Sequence, residues 1–186
     1  MSQKKEVSQM ANKNLPKSFN TMDEQRFMKN DFPVAASYAG EHGDVGCCDS
    51  AGRVETSITS QSVLGLQSGL PKDVSKGGNA DVDTPGGETC SAGDLIAVYF
   101  EPGLIFTGQI TTGALTDKYT TQSGAACFDL AGDNGVQYID AGATSYDIFK
   151  IIGPWKESNG SESAVGAYQK VIACFNSLVH ALGSTA

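Results

Sequence analysis

From residue 95 onward the chain breaks into short β-forming runs divided by glycine-bearing turns, and this rhythm excludes most folds before any other feature is weighed. Leu95–Phe100, Leu104–Ile110, Ala125–Leu130, Val136–Asp140, Tyr146–Ile152 and Tyr168–Phe175 are rich in β-branched and aromatic residues. Turn sequences at Glu101-Pro102-Gly103, Gly132-Asp133-Asn134-Gly135, Ala141-Gly142 and Gly153–Gly160 separate them. Strands recurring every 8–12 residues or so, with turn signals between them, predict an antiparallel barrel or sandwich. The 22 glycines and a charged fraction of only 18% agree with turn-rich β structure. Leu95–Phe100 and Leu104–Ile110, joined by a three-residue turn, are expected to pair as a hairpin.

The first half is less regular. Thr21-Met22-Asp23-Glu24 fits a capping box, so a two-turn helix is expected over 22–29, ending before Phe32-Pro33 because a residue preceding proline avoids the helical region. Val34–Tyr38 and Val54–Thr59 read as strands, the second with a clear period of two. Residues 39–52 and 69–93 are dense in Gly, Pro and Asp and are expected to be long loops. Ser177–Leu182 is expected to close the chain with one helical turn. The division that follows is an extended basic N-terminal arm, 1–32, carrying that short helix, and a β-rich body, 33–186. A length of 186 residues suits one domain with a sizeable core plus such an arm.

Charge divides the chain at the same place. All four methionines and six of the 13 basic residues lie in the first 30 positions, which carry a net charge of +3, whereas 31–186 holds 7 basic and 18 acidic residues. An acidic body with a net charge of −8 for the whole chain argues against nucleic-acid binding, which needs a basic face. The apolar runs are far shorter than the roughly 18 residues that span a bilayer. Lys4 and Lys5 have no apolar segment behind them, so a secretory signal is not expected and synthesis in a cytoplasm is. Such a compartment keeps the five cysteines, an odd number at irregular spacing, as thiols.

No catalytic set emerges. The only histidines, His42 and His180, are far apart in sequence, and a Ser or Cys nucleophile needs a positioned base. His42 and the vicinal Cys47-Cys48 crowd potential metal ligands, but without Cys-x2-Cys or His-x3-His spacing a packed thiol pair is the simpler reading. Asp129, Asp133 and Asp140 surround a turn whose spacing departs from a calcium loop. No glycine cluster has the lysine and hydroxyl of a phosphate loop. The chain is expected to be no enzyme and to need neither cofactor nor metal. The arm is the candidate site: Phe19, Met22, Phe27 and Met28 as apolar anchors, and Lys13, Lys17, Arg26 and Lys29 as charges that meet an acidic partner.

The runs Ser91-Ala92-Gly93-Asp94-Leu95-Ile96-Ala97-Val98-Tyr99, Phe106-Thr107-Gly108-Gln109-Ile110, Cys127-Phe128-Asp129-Leu130, Gln137-Tyr138-Ile139-Asp140 and Asp147–Pro154, with the last strand Val171–Asn176, resemble tailed-bacteriophage capsid decoration, or cement, proteins. The resemblance covers residues 90–176 and rests on strand order and turn chemistry. It implies a small β-barrel or β-tulip body on the outer capsid surface of the virion, often trimeric, with an N-terminal arm laid over major capsid subunits. The function expected is a structural virion protein that stabilises the capsid by bridging those subunits. A neck, tail or head-fibre base component, or a β-barrel ligand-binding module, are the alternatives the same features leave open.

Overall fold

The structure, a computed structural model, describes residues 18–22, 28–36, 38–56, 63–77, 80–81, 90–101, 103–111, 128–133, 135–143 and 146–176. Within them the chain is mainly β, in several antiparallel sheets, with one 3-10 turn at Val74–Lys76. The strands of the first half are β1 (Asn20–Thr21), β2 (Lys29–Pro33), β3 (Val45–Cys48), β4 (Val54–Glu55), β5 (Val63–Gln67), β6 (Lys72–Asp73) and β7 (Ala80–Asp81). The second half contributes β8 (Leu95–Tyr99), β9 (Ile105–Gln109), β10 (Asp129–Asp133), β11 (Val136–Asp140), β12 (Phe149–Pro154) and β13 (Lys170–Phe175). A four-stranded sheet runs β1-β9-β13-β12, β10 and β11 pair as a hairpin, and a seven-stranded sheet runs β4-β3-β5-β8-β6-β7 with β2 along β8. Among the described residues no sheet closes on itself.

One apolar core joins the three sheets. Phe19, Phe106, Phe149 and Phe175 meet there with Val45 and Leu66 of the large sheet and Leu130 and Ile139 of the hairpin. A second cluster, built on Val34, Tyr38, Val54, Leu64, Ile96 and Val98, involves the same large sheet. β5 and β8 therefore contribute to both clusters: Val63, Leu66 and Tyr99 belong to the first, and Leu64, Ile96 and Val98 to the second. Val63–Leu66 and Leu95–Val98 show no polar alternation because side chains on both faces are covered.

The same two-sided burial overturns the expected hairpin of 95–110. β8 and β9 do not pair; they belong to different sheets, and the Glu101–Gly103 turn, closed by Leu104 N–H donating to the Glu101 carbonyl at 3.0 Å, carries the chain from one sheet to the other. β8 takes β2 along one edge and β5 and β6 along the other, while β9 takes β1 and β13. The hairpin that does form is β10–β11. Its register pairs Asp133 with Val136, and Gly135 beside Val136 has a positive φ, +76°, of the kind that tight hairpin turns demand. The turn reading of the carboxylate-bearing segment 129–140 is thus the observed one.

Other expectations need correction. The loop assigned to 39–52 contains β3, whose Val45, Gly46 and Cys47 are all buried. The strand expected at Val34–Tyr38 lies earlier, at Lys29–Pro33, and Val34 makes only an isolated parallel bridge to Val54. Lys29 begins a strand rather than ending a helix; residues 23–27 of the expected helix lie outside the described residues. Within 69–93 the chain forms β6, the 3-10 turn and β7, and 82–89 lie outside the described residues. So do the parts of three expected elements at 57–59, 125–127 and 177–182.

Candidate functional site: the root of the N-terminal segment

The arm assigned to 1–32 is part of the body from Ser18 onward. Phe19 is 1% exposed and packs its ring against Phe106, with centroids 5.3 Å apart and edge to face, and against Phe149 at 5.1 Å. It lies over Gly108, where an added Cβ would stand 2.5 Å from two Phe19 ring carbons, so the glycine makes room for the ring. Its amide donates to the Gly43 carbonyl at 3.1 Å, and β1 follows at once along β9. Phe19 is therefore an anchor of the protein's own core and not a contact for a partner. A phenylalanine in a Lys- and Asn-rich stretch looks like an exposed anchor until its burial partners are known.

Asp44 holds the same segment from the polar side. Fully buried, it accepts hydrogen bonds from the Ser18 hydroxyl, from the Glu41 amide at 2.8 Å and from the Gly135 amide at 3.0 and 2.9 Å to its two oxygens. Ser18 Oγ accepts from the Gln137 amide at 3.1 Å, and Gln137 Oε1 accepts from the Val45 amide at 2.7 Å. One carboxylate thus ties the N-terminal segment, the entry to β3 and the β10–β11 turn together. Burial pushes its carboxyl above the ordinary range, opposed by the bonds from Ser18, Glu41 and Gly135 and by nearby His42. Sequence reasoning missed this group. The only signal was an acidic residue directly before the apolar Val45–Cys48 run.

The remaining anchors divide. Met22 and Met28 are 46% and 58% exposed, and Lys29 on β2 places its ammonium 5.7 Å from the centre of the Tyr99 ring. Lys13, Lys17, Arg26 and Phe27 lie outside the described residues. What the structure brings together at residues 18–22 is a fixed root, with the basic stretch Lys4, Lys5, Lys13 and Lys17 preceding it in the chain.

The other candidates are structural in their surroundings. Cys47 and Cys48 are neighbours on a strand and point to opposite faces. Cys47 faces the core, where burial pushes its thiol up to about 12, and Cys48 is half-buried. His42 accepts the Gly69 amide on Nδ1 at 3.0 Å. Among the described residues no three His, Cys, Asp or Glu side chains are grouped to hold a metal ion. The buried carboxylates Asp94 and Asp129, like Asp44, receive loop amides: Ser91 and Val74 at 2.8 and 3.1 Å, Tyr146 and Asp147 at 2.7 and 2.9 Å. Such carboxylates hold loops to strands. Cys127 and His180 lie outside the described residues, and no described helix is long and apolar enough to cross a membrane.

Comparison with protein-family models, with curated proteins and with solved structures gives no match.

Proposed function

We propose that this protein is a structural component of a virion, a phage head decoration protein that binds the outer capsid surface and bridges major capsid subunits, and that it catalyses no reaction. The observation that supports this reading best is the fixed root at Ser18 and Phe19. The 17 residues before it carry four lysines and one glutamate, while the body to which they are rooted is strongly acidic. A basic segment with little apolar content of its own gains most when a partner orders it. Exposed Met22 and Met28 add adaptable apolar contacts close to the root. Buried anchors would contribute about 1.5–3 kcal/mol each, exposed charge pairs at most about 1 kcal/mol, so charge mainly steers the encounter.

The test is co-sedimentation with capsids stripped of the protein. The intact chain should attach, and a chain lacking residues 1–17 should remain folded and fail to attach. Full attachment of the truncated chain would move the contact to the body, and failure of the intact chain to attach would remove the capsid reading altogether.

A further inference from the structure

The chain holds two Asn-Gly dipeptides, Asn134-Gly135 and Asn159-Gly160, and the structure surrounds their glycine amides differently. A glycine has no side chain to keep its backbone nitrogen away from the carboxamide of the residue before it. The second dipeptide tips the connection from β12 to β13. Lys156 bridges Glu162, the Glu157 amide donates to the Ser161 carbonyl at 2.8 Å, and the Gly160 amide donates to the Glu157 carbonyl at 2.8 Å. Residues 157–160 thus form a tight turn, with Gly160 at φ +81°. Residues 156–161 are all exposed, and a Cβ added to Gly160 would meet no atom within 4 Å. Asn159 Oδ1 accepts from the Ser161 amide at 2.9 Å and from the Ser161 hydroxyl at 2.6 Å. An Asx ring of this kind curls the Asn159 carboxamide back over the 159–160 peptide, and both donors meet the oxygen that gains negative charge when Cγ is attacked. The Gly135 amide is held otherwise, donating to both oxygens of buried Asp44 at 3.0 and 2.9 Å, while Asn134 lies outside the described residues.

We propose that Asn159 is a site of spontaneous deamidation in the folded protein, assisted by Ser161, and that the Asp44 contact protects Asn134 from the same reaction. The Gly160 nitrogen gives its proton to water or hydroxide and bonds to Asn159 Cγ. The electron pair pushed onto Oδ1 is held by the Ser161 N–H and O–H, then returns as the Cγ–Nδ2 bond breaks and the nitrogen leaves as ammonia with a proton from water. Water next opens the five-membered imide at either carbonyl, leaving aspartate or isoaspartate. Removing the Gly160 proton gives up a bond to a neutral carbonyl. Removing the Gly135 proton would set an anionic nitrogen against the Asp44 carboxylate, a like-charge contact at a buried group. Either product at 159 adds a carboxylate to the exposed tip, and isoaspartate also lengthens the backbone between Glu157 and Ser161, which breaks their pairing. The β12–β13 ladder from Phe149–Phe175 to Pro154–Val171 lies outside the turn, so the change stays at the tip. Nothing in it depends on attachment to a capsid.

The experiment is ageing of the full chain in mildly alkaline buffer, folded and in concentrated urea, with digestion and mass spectrometry reading the deamidation of each asparagine over time. In urea the two Asn-Gly sites should react at similar rates. In the folded chain Asn159 should keep that rate or exceed it, while Asn134 slows by at least about tenfold, the factor expected when a charge-assisted hydrogen bond to the amide replaces a neutral one. Ser161→Ala, a change on an exposed turn, should leave the circular dichroism and the rate in urea unchanged. It should slow Asn159 in the folded chain by about two- to tenfold, the worth of one hydrogen bond to the developing charge. An Asn159 that stays intact in the folded chain while reacting in urea, equal rates at the two sites in the folded chain, or a Ser161→Ala variant with the wild-type folded rate would each overturn the proposal.

Discussion

Phe19 and its neighbours show how much a few side chains decide in this fold. Replacing Phe19 with alanine should cost about 3–5 kcal/mol, measured by urea denaturation, since it empties a buried site lined by Phe106 and Phe149. Met22→Ala and Met28→Ala, on exposed side chains, should stay within about 0.5 kcal/mol of wild type. Gln169 makes the opposite prediction: it is buried, and among the described residues neither its amide nitrogen nor its amide oxygen has a hydrogen-bond partner. Gln169→Leu should therefore leave stability unchanged or raise it by about 1 kcal/mol or more. The thiols sort by burial as well. Cys47 and Cys90, pushed up to about 12 and about 11, should react with a disulfide reagent only on unfolding, and half-buried Cys48 and Cys174 first, as site mapping by mass spectrometry would show. For Asp44 the sign follows from its raised carboxyl. The folded state binds this proton more readily than the unfolded state, so the stability the group contributes is fully present below its unfolded value and is lost as pH rises through the folded one. The stability difference between wild type and Asp44→Asn should accordingly shrink with rising pH across the acid range, read from urea midpoints.

At the scale of elements, neighbours rather than local pattern decide where a strand goes. β8 is paired along both edges and contributes to both apolar clusters, whereas β2, exposed at Lys29, Asn30 and Asp31, is paired mainly on one edge. Amide exchange should therefore be slowest in β8 and clearly faster in β2, a contrast that heteronuclear spectra would resolve residue by residue. The β10–β11 turn offers a second check. Gly135 is at φ +76°, and an added Cβ would meet Glu41 Oε2 at 2.5 Å. Gly135→Ala should lower stability by about 1–2 kcal/mol from backbone strain alone, and more if Glu41 cannot move aside.

For the whole molecule, the body takes in Ser18, Phe19 and β1 from within the arm expected over 1–32. Removing 1–17 should leave a cooperatively unfolding body, because Ser18, Phe19, β1 and β2 remain. Removing 1–30 deletes the aromatic anchor, the Asp44 partner and the β1 pairing with β9, and should abolish cooperative thermal unfolding. Equal melting curves for the two truncations would show that the N-terminal root contributes nothing to the fold.

The short β-forming runs and glycine turns of the second half were enough to read a mainly β, antiparallel architecture, and Val136–Asp140 was delimited to the residue, because alternation and an Asn-Gly turn are local properties. Pairing was not legible in the same way. Leu95–Phe100 and Leu104–Ile110 have every local mark of a hairpin, yet the apolar character of both faces of the first strand is satisfied only inside a sheet covered twice, and that requirement sent them to different sheets. The same holds at the candidate site. Charge and composition marked the first 30 residues as distinct, but whether Phe19 faced a partner or the core depended on Phe106, Gly108 and Phe149, more than 80 positions away in the chain. Burial is a property of the neighbours a residue acquires, and those neighbours exist only once the tertiary structure has brought distant segments together.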